Sequence, residues 1–425
     1  MSYVFVADDF TGASDTLATL ARIGLRARLF RDVPSAGDVA GLDAWGVATP
    51  ARSLDRAAIE ALGRRIGKGV AAHAPELVHV KVCSTFDSGP ELGNIALFTQ
   101  AIAKHSGIPD IAVVGGQPSL GRHAVFGTLF ARGPDNAVHR IDRHPVMSRH
   151  PVTPMHEADL IRHLGRLGLE RLHHVARCRQ GGDFPRFYDV LEQADLTTVG
   201  RDLRASARRL VVMGPSSVAE AWFADHVGRH VAPSAASRSS SGPIFAFAGS
   251  RSSVTTAQIG AARMLACLPV DPRVMIDDGP AARQAFGWVK DRLERDQDVI
   301  VYLTAEQTGT ITPAALACAS AEFVRHVVRD CRPGGLIVAG GDTASAIVNA
   351  VAPDWLDHAG DVCAGVPILR SHVYGRELSL ALKGGQMGDT DFFERAITAF
   401  GASQAQGGNR SRASPDRTQA AGGPP

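Results

Sequence analysis

The chain has 425 residues, 45% of them hydrophobic and 21% charged. That is more than one ordinary core needs, so two soluble globular domains are expected. A net charge of only +2 excludes a nucleic-acid binder that works by neutralising phosphates. The six cysteines form no CxxC pair and show no zinc-ligand spacing. No secretory leader pattern and no membrane-length apolar run is present, so a cytoplasmic protein without a membrane partner is expected.

Residues 3–7 read as a strand, 13–23 as a helix, and 26–30 and 44–48 as strands. A helix over 56–72 puts Ile59, Leu62, Ile66 and Val70 on one face, the spacing of an amphipathic helix. A strand at 77–82, a helix at 92–105 and a strand at 111–114 continue the alternation. It predicts a mostly parallel sheet with helices on both sides. Residues 115–154 break the pattern. Rich in Gly, Pro, Arg and His, they read as a long functional loop or excursion. A helix at 157–167 and a strand at 209–213 follow, then the turn Gly214-Pro215-Ser216-Ser217. Small polar residues without periodicity mark 233–242 as a linker between a first domain over 1–232 and a second over 243–400. The second has strands at 244–248, 299–303, 335–339 and 366–369. Residues 401–425 lack apolar periodicity and are expected to be a disordered tail. The fold class is α/β, two domains, each a mostly parallel sheet flanked by helices.

The first strand runs into Asp8-Asp9-Phe10-Thr11-Gly12. Ligands of open α/β sheets bind at the carboxyl ends of the strands, and two unpaired carboxylates are costly to bury there. Either aspartate alone can instead cap the following helix. The strand at 77–82 ends in Lys81-Val82-Cys83-Ser84-Thr85-Phe86-Asp87. Arg52 follows the strand at 44–48. Arg52 and Lys81 suit a carboxylate through charge-assisted hydrogen bonds, and Ser84 and Thr85 suit sugar hydroxyls; the alternatives are an ion pair and helix capping. Three turns of the second half are built for close backbone approach: Gly249-Ser250-Arg251-Ser252, Gly340-Gly341-Asp342-Thr343, and Gly384-Gly385-Gln386-Met387-Gly388. A strand-to-helix glycine turn offers amide N–H groups to phosphate. None matches a Walker A motif. His139, His144, His150 and His156 match no zinc spacing, and no residue is assigned as a metal ligand.

In order and spacing these segments resemble the four-carbon acid sugar kinase family, over nearly the whole chain. The resemblance implies a sugar-acid-binding first domain, an ATP-binding second domain with Mg2+, and phosphorylation of the terminal hydroxyl of threonate, erythronate or a 3-oxo-tetronate. It carries the nucleotide site onto Ser250, Ser252, Gly340, Gly341, Asp342, Thr343, Gly385 and Gly388. Here Gly-Gly-Asp-Thr-Ala stands where many relatives have Gly-Gly-Glu-Thr-Ser, and Lys383-Gly384-Gly385-Gln386 where they have Lys-Ser-Gly-Asn. A homodimer is common among such enzymes. The candidate bases are Asp9, Asp8 and Asp87. Asp9 ranks first because it lies nearer the turn; strand alternation sends Asp8 and Asp9 to opposite faces, leaving the other to cap. The rival readings are a dinucleotide-linked oxidoreductase and a non-catalytic acid-binding protein. A dinucleotide fingerprint needs G-x-G-x-x-G after the first strand, and the chain has two aspartates there.

Overall fold

The computed structural model describes residues 3–150, 152–226, 242–277, 279–304, 311–385 and 387–405, with the backbone alone for Asp342 and for 401–405. The predicted linker therefore lies almost wholly outside the described residues.

The first half opens with β1 (Tyr3–Ala7), α1 (Phe10–Arg22), β2 (Ala27–Phe30), β3 (Ala44–Ala48), α2 (Arg56–Ala71), β4 (Leu77–Lys81), α3 (Ile95–Ser106) and β5 (Ile111–Val114). The expected excursion is not a bare loop: β6 (Arg122–Val125), β7 (Thr128–Arg132) and β8 (Val138–Arg140) form a small antiparallel sheet of their own. Then come α4 (Leu160–Arg166), β9 (His173–Val175), β10 (Arg186–Tyr188), α5 (Gln193–Ala205), β11 (Leu210–Gly214) and α6 (Ser217–Trp222). The second half holds β12 (Ile244–Ala248), α7 (Ser253–Ala261), β13 (Ala266–Val270), α8 (Pro272–Asp277), α9 (Pro280–Leu293), β14 (Val299–Leu303), α10 (Pro313–Asp330), β15 (Gly335–Ala339) and α11 (Gly341–Val351). The strands β16 (Leu356–Cys363), β17 (Val366–Val373) and β18 (Arg376–Lys383) precede α12 (Phe392–Ala405). The helix thus carries into the region expected as tail.

Fifteen strands form one sheet in the order β13-β14-β12-β15-β18-β17-β16-β2-β3-β1-β4-β11-β5-β10-β9. The first half contributes an all-parallel block. In the second, the neighbours β13-β14-β12-β15-β18 pair in parallel, and β16, β17 and β18 make an antiparallel meander that the sequence reading did not anticipate. The two halves repeat one topology. In each, the first strand is flanked on one side by the third and on the other by the fourth: β3-β1-β4 and β14-β12-β15. Such a reversal of strand order opens a crevice at the carboxyl ends, where ligands of α/β sheets bind.

The halves join at the pairing of Leu356 in β16 with Leu29 in β2. Beside it Arg28 forms a two-pronged pair with Asp357, at 2.8 and 2.9 Å, and lies over the Trp355 ring. One buried layer crosses the seam without a break, from Phe5, Leu17 and Leu29 to Ile347, Leu356 and Leu380. Helix α1 belongs to the first half but packs on α11, β16 and β17 of the second, so its start is a shared element. Arg28→Ala removes a partly exposed pair and should cost about 1 kcal/mol. Urea unfolding would show a lower midpoint at unchanged KM values, because the seam lies away from the carboxyl-end crevices.

Candidate functional site

Strand β1 ends at Ala7, so Asp8 and Asp9 lie in the turn rather than on alternating strand faces. Asp8 is held by its backbone: its N–H donates to the Lys81 carbonyl at 3.0 Å, and its carbonyl accepts from Arg52 N–H at 3.1 Å. Asp9 is the N-cap of α1, its Oδ1 accepting from Gly12 N–H. Arg52 sits between the two carboxylates, with Nη2 3.0 Å and Nε 3.3 Å from Asp8 Oδ2, and Nη1 3.3 Å from Asp9 Oδ2. The other Asp8 oxygen, Oδ1, and the Thr11 hydroxyl are buried without a hydrogen-bond partner. Burial pushes the Asp8 carboxyl up to about 6, against the pull of Arg52 and Lys81 and with the help of the Asp9 charge. Lys81 is buried and donates to the Val82 carbonyl at 2.8 Å. A Cβ at position 12 would lie 2.8 Å from both Lys81 Nζ and Asp9 Oδ1, so a larger residue here would push both charged groups aside.

Ser84, Thr85 and Asp87 are buried in the loop after β4. Asp87 accepts from the Thr85 hydroxyl at 2.5 Å and from the Thr153 hydroxyl at 2.9 Å. Burial alone would raise its carboxyl. The Arg52 charge, the two hydroxyls and His150 outweigh burial and hold it below the ordinary value. Thr153 and His150, in contact at 3.2 Å, were not expected in the site; the Gly-, Pro-, Arg- and His-rich break in the pattern over 115–154 was the signal. The structure thus brings Asp8, Asp9, Arg52, Lys81 and Asp87 into one cluster of opposing charges.

The second half assembles its three turns around β12, β15 and β18. Gly249 and Ser250 N–H groups both donate to the Ala339 carbonyl at 3.0 Å. Gly340 N–H donates to the Lys383 carbonyl at 2.8 Å. Ser252 caps α7 by accepting from Thr255 N–H, and its hydroxyl also donates to the Gly385 carbonyl at 2.5 Å. Thr255 donates to the same carbonyl at 3.1 Å. Lys383 is wholly buried, donating to Thr255 Oγ1 at 3.2 Å and the Gly384 carbonyl at 3.0 Å. Burial lowers its ammonium to about 8. Gln258 Nε2 gathers the carbonyls of Met387, Gly388 and Asp389, at 3.0, 2.9 and 2.9 Å. Thr255, Lys383 and Gln258 thus turn carbonyls inward. Thr343 packs under Gly249, where a Cβ would meet its Oγ1 at 2.3 Å.

Helix α11 starts at Gly340, which has φ +129° and no side-chain cap. The first N–H groups of a helix lack intrahelical partners, and an uncapped start suits an anion. The Asp342 side chain lies outside the described residues. The two sites meet at α1: Phe10 N–H points to the Ser345 hydroxyl of α11 at 3.5 Å. Among the described residues, no group of three His, Cys, Asp or Glu side chains forms a metal cluster, and no helix is long and apolar enough to cross a membrane. Gly340→Ala forces a side chain into a backbone conformation that L residues rarely adopt, at a cost of about 1–3 kcal/mol. Melting temperature in a thermal unfolding scan should fall.

Comparisons with known proteins follow the same division. Residues 3–222 match the model of a sugar-binding N-terminal domain, and residues 245–393 that of a nucleotide-binding C-terminal domain. A 3-oxo-tetronate kinase of Methylobacterium radiotolerans is 31% identical over 92% of this chain and 97% of its own length. A 3-oxo-isoapionate kinase of Paraburkholderia graminis is 30% identical over 92% of each chain. A crystal structure from Salmonella typhimurium LT2 superposes with a TM-score of 0.74 at 24% identity, covering 94% of this chain and 99% of that one; it speaks to the fold alone. The chain belongs to the four-carbon acid sugar kinase family.

Proposed function

We propose that this chain is an ATP-dependent kinase that phosphorylates the terminal 4-hydroxyl of a four-carbon sugar acid: a threonate, an erythronate or a 3-oxo-tetronate. The observation that carries this reading is the meeting of two unlike sites at the start of α1. A cluster of buried carboxylates and cations lies on one side, and the uncapped glycine turn of α11 on the other. The family models and the kinases among the relatives support the same division, with the acid on residues 1–232 and ATP on 243–400. A dinucleotide-linked oxidoreductase is set aside. Its pyrophosphate needs bare amides after the first strand, where this chain presents Asp8 and Asp9.

Ser250, Ser252, Gly340, Gly341, Thr343, Gly385 and Gly388 would form the phosphate cradle. Mg2+ would neutralise the triphosphate when bound. The chain's own work is to orient the hydroxyl and take its proton. The sequence ranks Asp9 first for this, but one of its oxygens caps α1 and the other faces Arg52. Both Asp87 oxygens accept hydroxyls. Asp8 keeps one oxygen without a partner and titrates near neutrality, as an effective base requires. We therefore place the base at Asp8, with Arg52 fixing its other oxygen. Ser84 and Thr85 line the sugar side. The free cysteines suit a reducing cytoplasm.

Coupled measurement of ADP release against a panel of four-carbon acids, with 3-oxo-isoapionate included, tests the reading. Turnover of at least one four-carbon acid is expected; turnover of 3-oxo-isoapionate alone, or of none, contradicts it. Asp8→Asn should lower kcat by about 100- to 10,000-fold with the KM for ATP unchanged. Because the proton blocks the base, wild-type kcat should fall as pH drops through about 6. A normal kcat in Asp8→Asn with collapse in Asp9→Asn would return the role to Asp9.

A further inference from the structure

Arg52 and Lys81 are the cations expected to hold the substrate carboxylate, and in the structure both already have partners. The Arg52 guanidinium is divided between Asp8 and Asp9, and the Lys81 ammonium is turned onto a backbone carbonyl. Arg122, at the start of β6, is differently placed. Its N–H donates to the Gln117 carbonyl at 3.1 Å and its carbonyl accepts from Gln117 N–H at 2.9 Å. That ties it to the loop leaving β5, at the same carboxyl edge as Asp8 and Lys81. Its Nη1 donates to the Leu120 carbonyl at 2.6 Å. Its Nε is buried and has no hydrogen-bond partner.

Arg122 has no ion pair among the described residues. The ionisable groups that act on it are Cys83 and the repelling Arg132 guanidinium; burial is the strongest influence and weakens its hold on the proton. The same Cys83 also acts on Arg52, and it accepts a hydrogen bond from Thr85 at 3.0 Å. Cys83 therefore neighbours both arginines, and Arg122 approaches the acid site from the excursion. His144, whose ring feels the Arg122 charge, is held by burial below its ordinary value and brings no negative charge. Arg122 as a whole is partly buried, and burying its Nε without a carboxylate partner is costly. A free Nε edge is the one that takes a carboxylate in two parallel hydrogen bonds.

We propose that Arg122 is the specificity-determining residue that binds the carboxylate of the acid substrate through its unpartnered Nε edge, while the Asp8–Arg52–Asp9 cluster serves the hydroxyl end. This deepens the reading of the first half as a sugar-acid site and rests on it. Lys is a poor substitute, because a point charge does not reproduce the fork.

The test uses the full chain, wild type and the variants Arg122→Met and Arg122→Lys, with the best acid of the panel and its carboxamide, which keeps the shape and loses the charge. Arg122→Met should raise the KM for the acid about 10- to 100-fold, the loss of a charge-assisted hydrogen bond. The KM for ATP should stay the same, and the preference for acid over carboxamide should collapse. Arg122→Lys should recover part of that preference. An unchanged acid KM in either variant, or an increase confined to ATP, overturns the proposal. Should Arg122→Met fail to fold, judged by its melting transition, the acid-to-carboxamide ratio of Arg122→Lys decides in the same way. Calorimetry of the acid without ATP separates this claim from the kinase reading. If wild type binds the acid and Arg122→Met does not, the assignment stands even if no ADP is released. Turnover in wild type with no effect at position 122 removes Arg122 alone.

Discussion

The structure depends on one shared cation. Arg52 lies between two adjacent carboxylates at the end of the first strand, and Asp8 is only 1% exposed. Removing a carboxylate from water costs several kcal/mol unless it is paired and hydrogen-bonded. Here the compensation is incomplete by one oxygen, Asp8 Oδ1. Buried polar atoms are nearly always satisfied, and the exceptions call for an explanation. A substrate hydroxyl would supply one. The same arrangement sets the titration: burial drives Asp8 up, Arg52 drives it down, and burial wins.

The consequences spread through α1. Its start is fixed by Asp9 and Gly12, its body packs on the second half, and its first N–H points to Ser345. One helix therefore transmits the position of the carboxylates to the helix that begins with the glycine turn. The seam at Leu29 and Leu356 and the Arg28–Asp357 pair hold the crevices of the two halves in one sheet. On the nucleotide side the physical device is different. Lys383, Thr255 and Gln258 satisfy the carbonyls of the last glycine turn from beneath. The cation there donates to Thr255 and the Gly384 carbonyl, whereas a Walker lysine points at phosphate.

Much of the frame was legible because local pattern determines it. Strands β1, β3, β5, β12, β14 and β15 were read with their exact limits, since short β-branched and apolar runs between turns leave few alternatives. Helix α1 begins three residues before the expected start because the Asp9 cap recruits Phe10 to Gly12. The three-residue strands β9 and β10 carry histidines and an arginine and lack a periodic signal. The strand β18 did show one, Leu378, Leu380 and Leu382 alternating with polar or small residues, and was passed over. The repeated topology was invisible because strand order is a matter of pairing, not composition. In the site, residue types were readable and partnerships were not. Asp87 meets Thr153 across 66 positions, and Arg122 stood in a segment that looked like loop.

The central claim is transfer of phosphate to the terminal hydroxyl of a four-carbon acid, and the most direct measurement is the identity of the product. Proton-coupled phosphorus NMR of the acid incubated with ATP and this protein reads the attachment point. The account predicts a phosphomonoester whose phosphorus couples to the two methylene protons of carbon 4. Coupling to a single methine proton, or ATP consumed with release of inorganic phosphate and no phosphorylated acid, would contradict it.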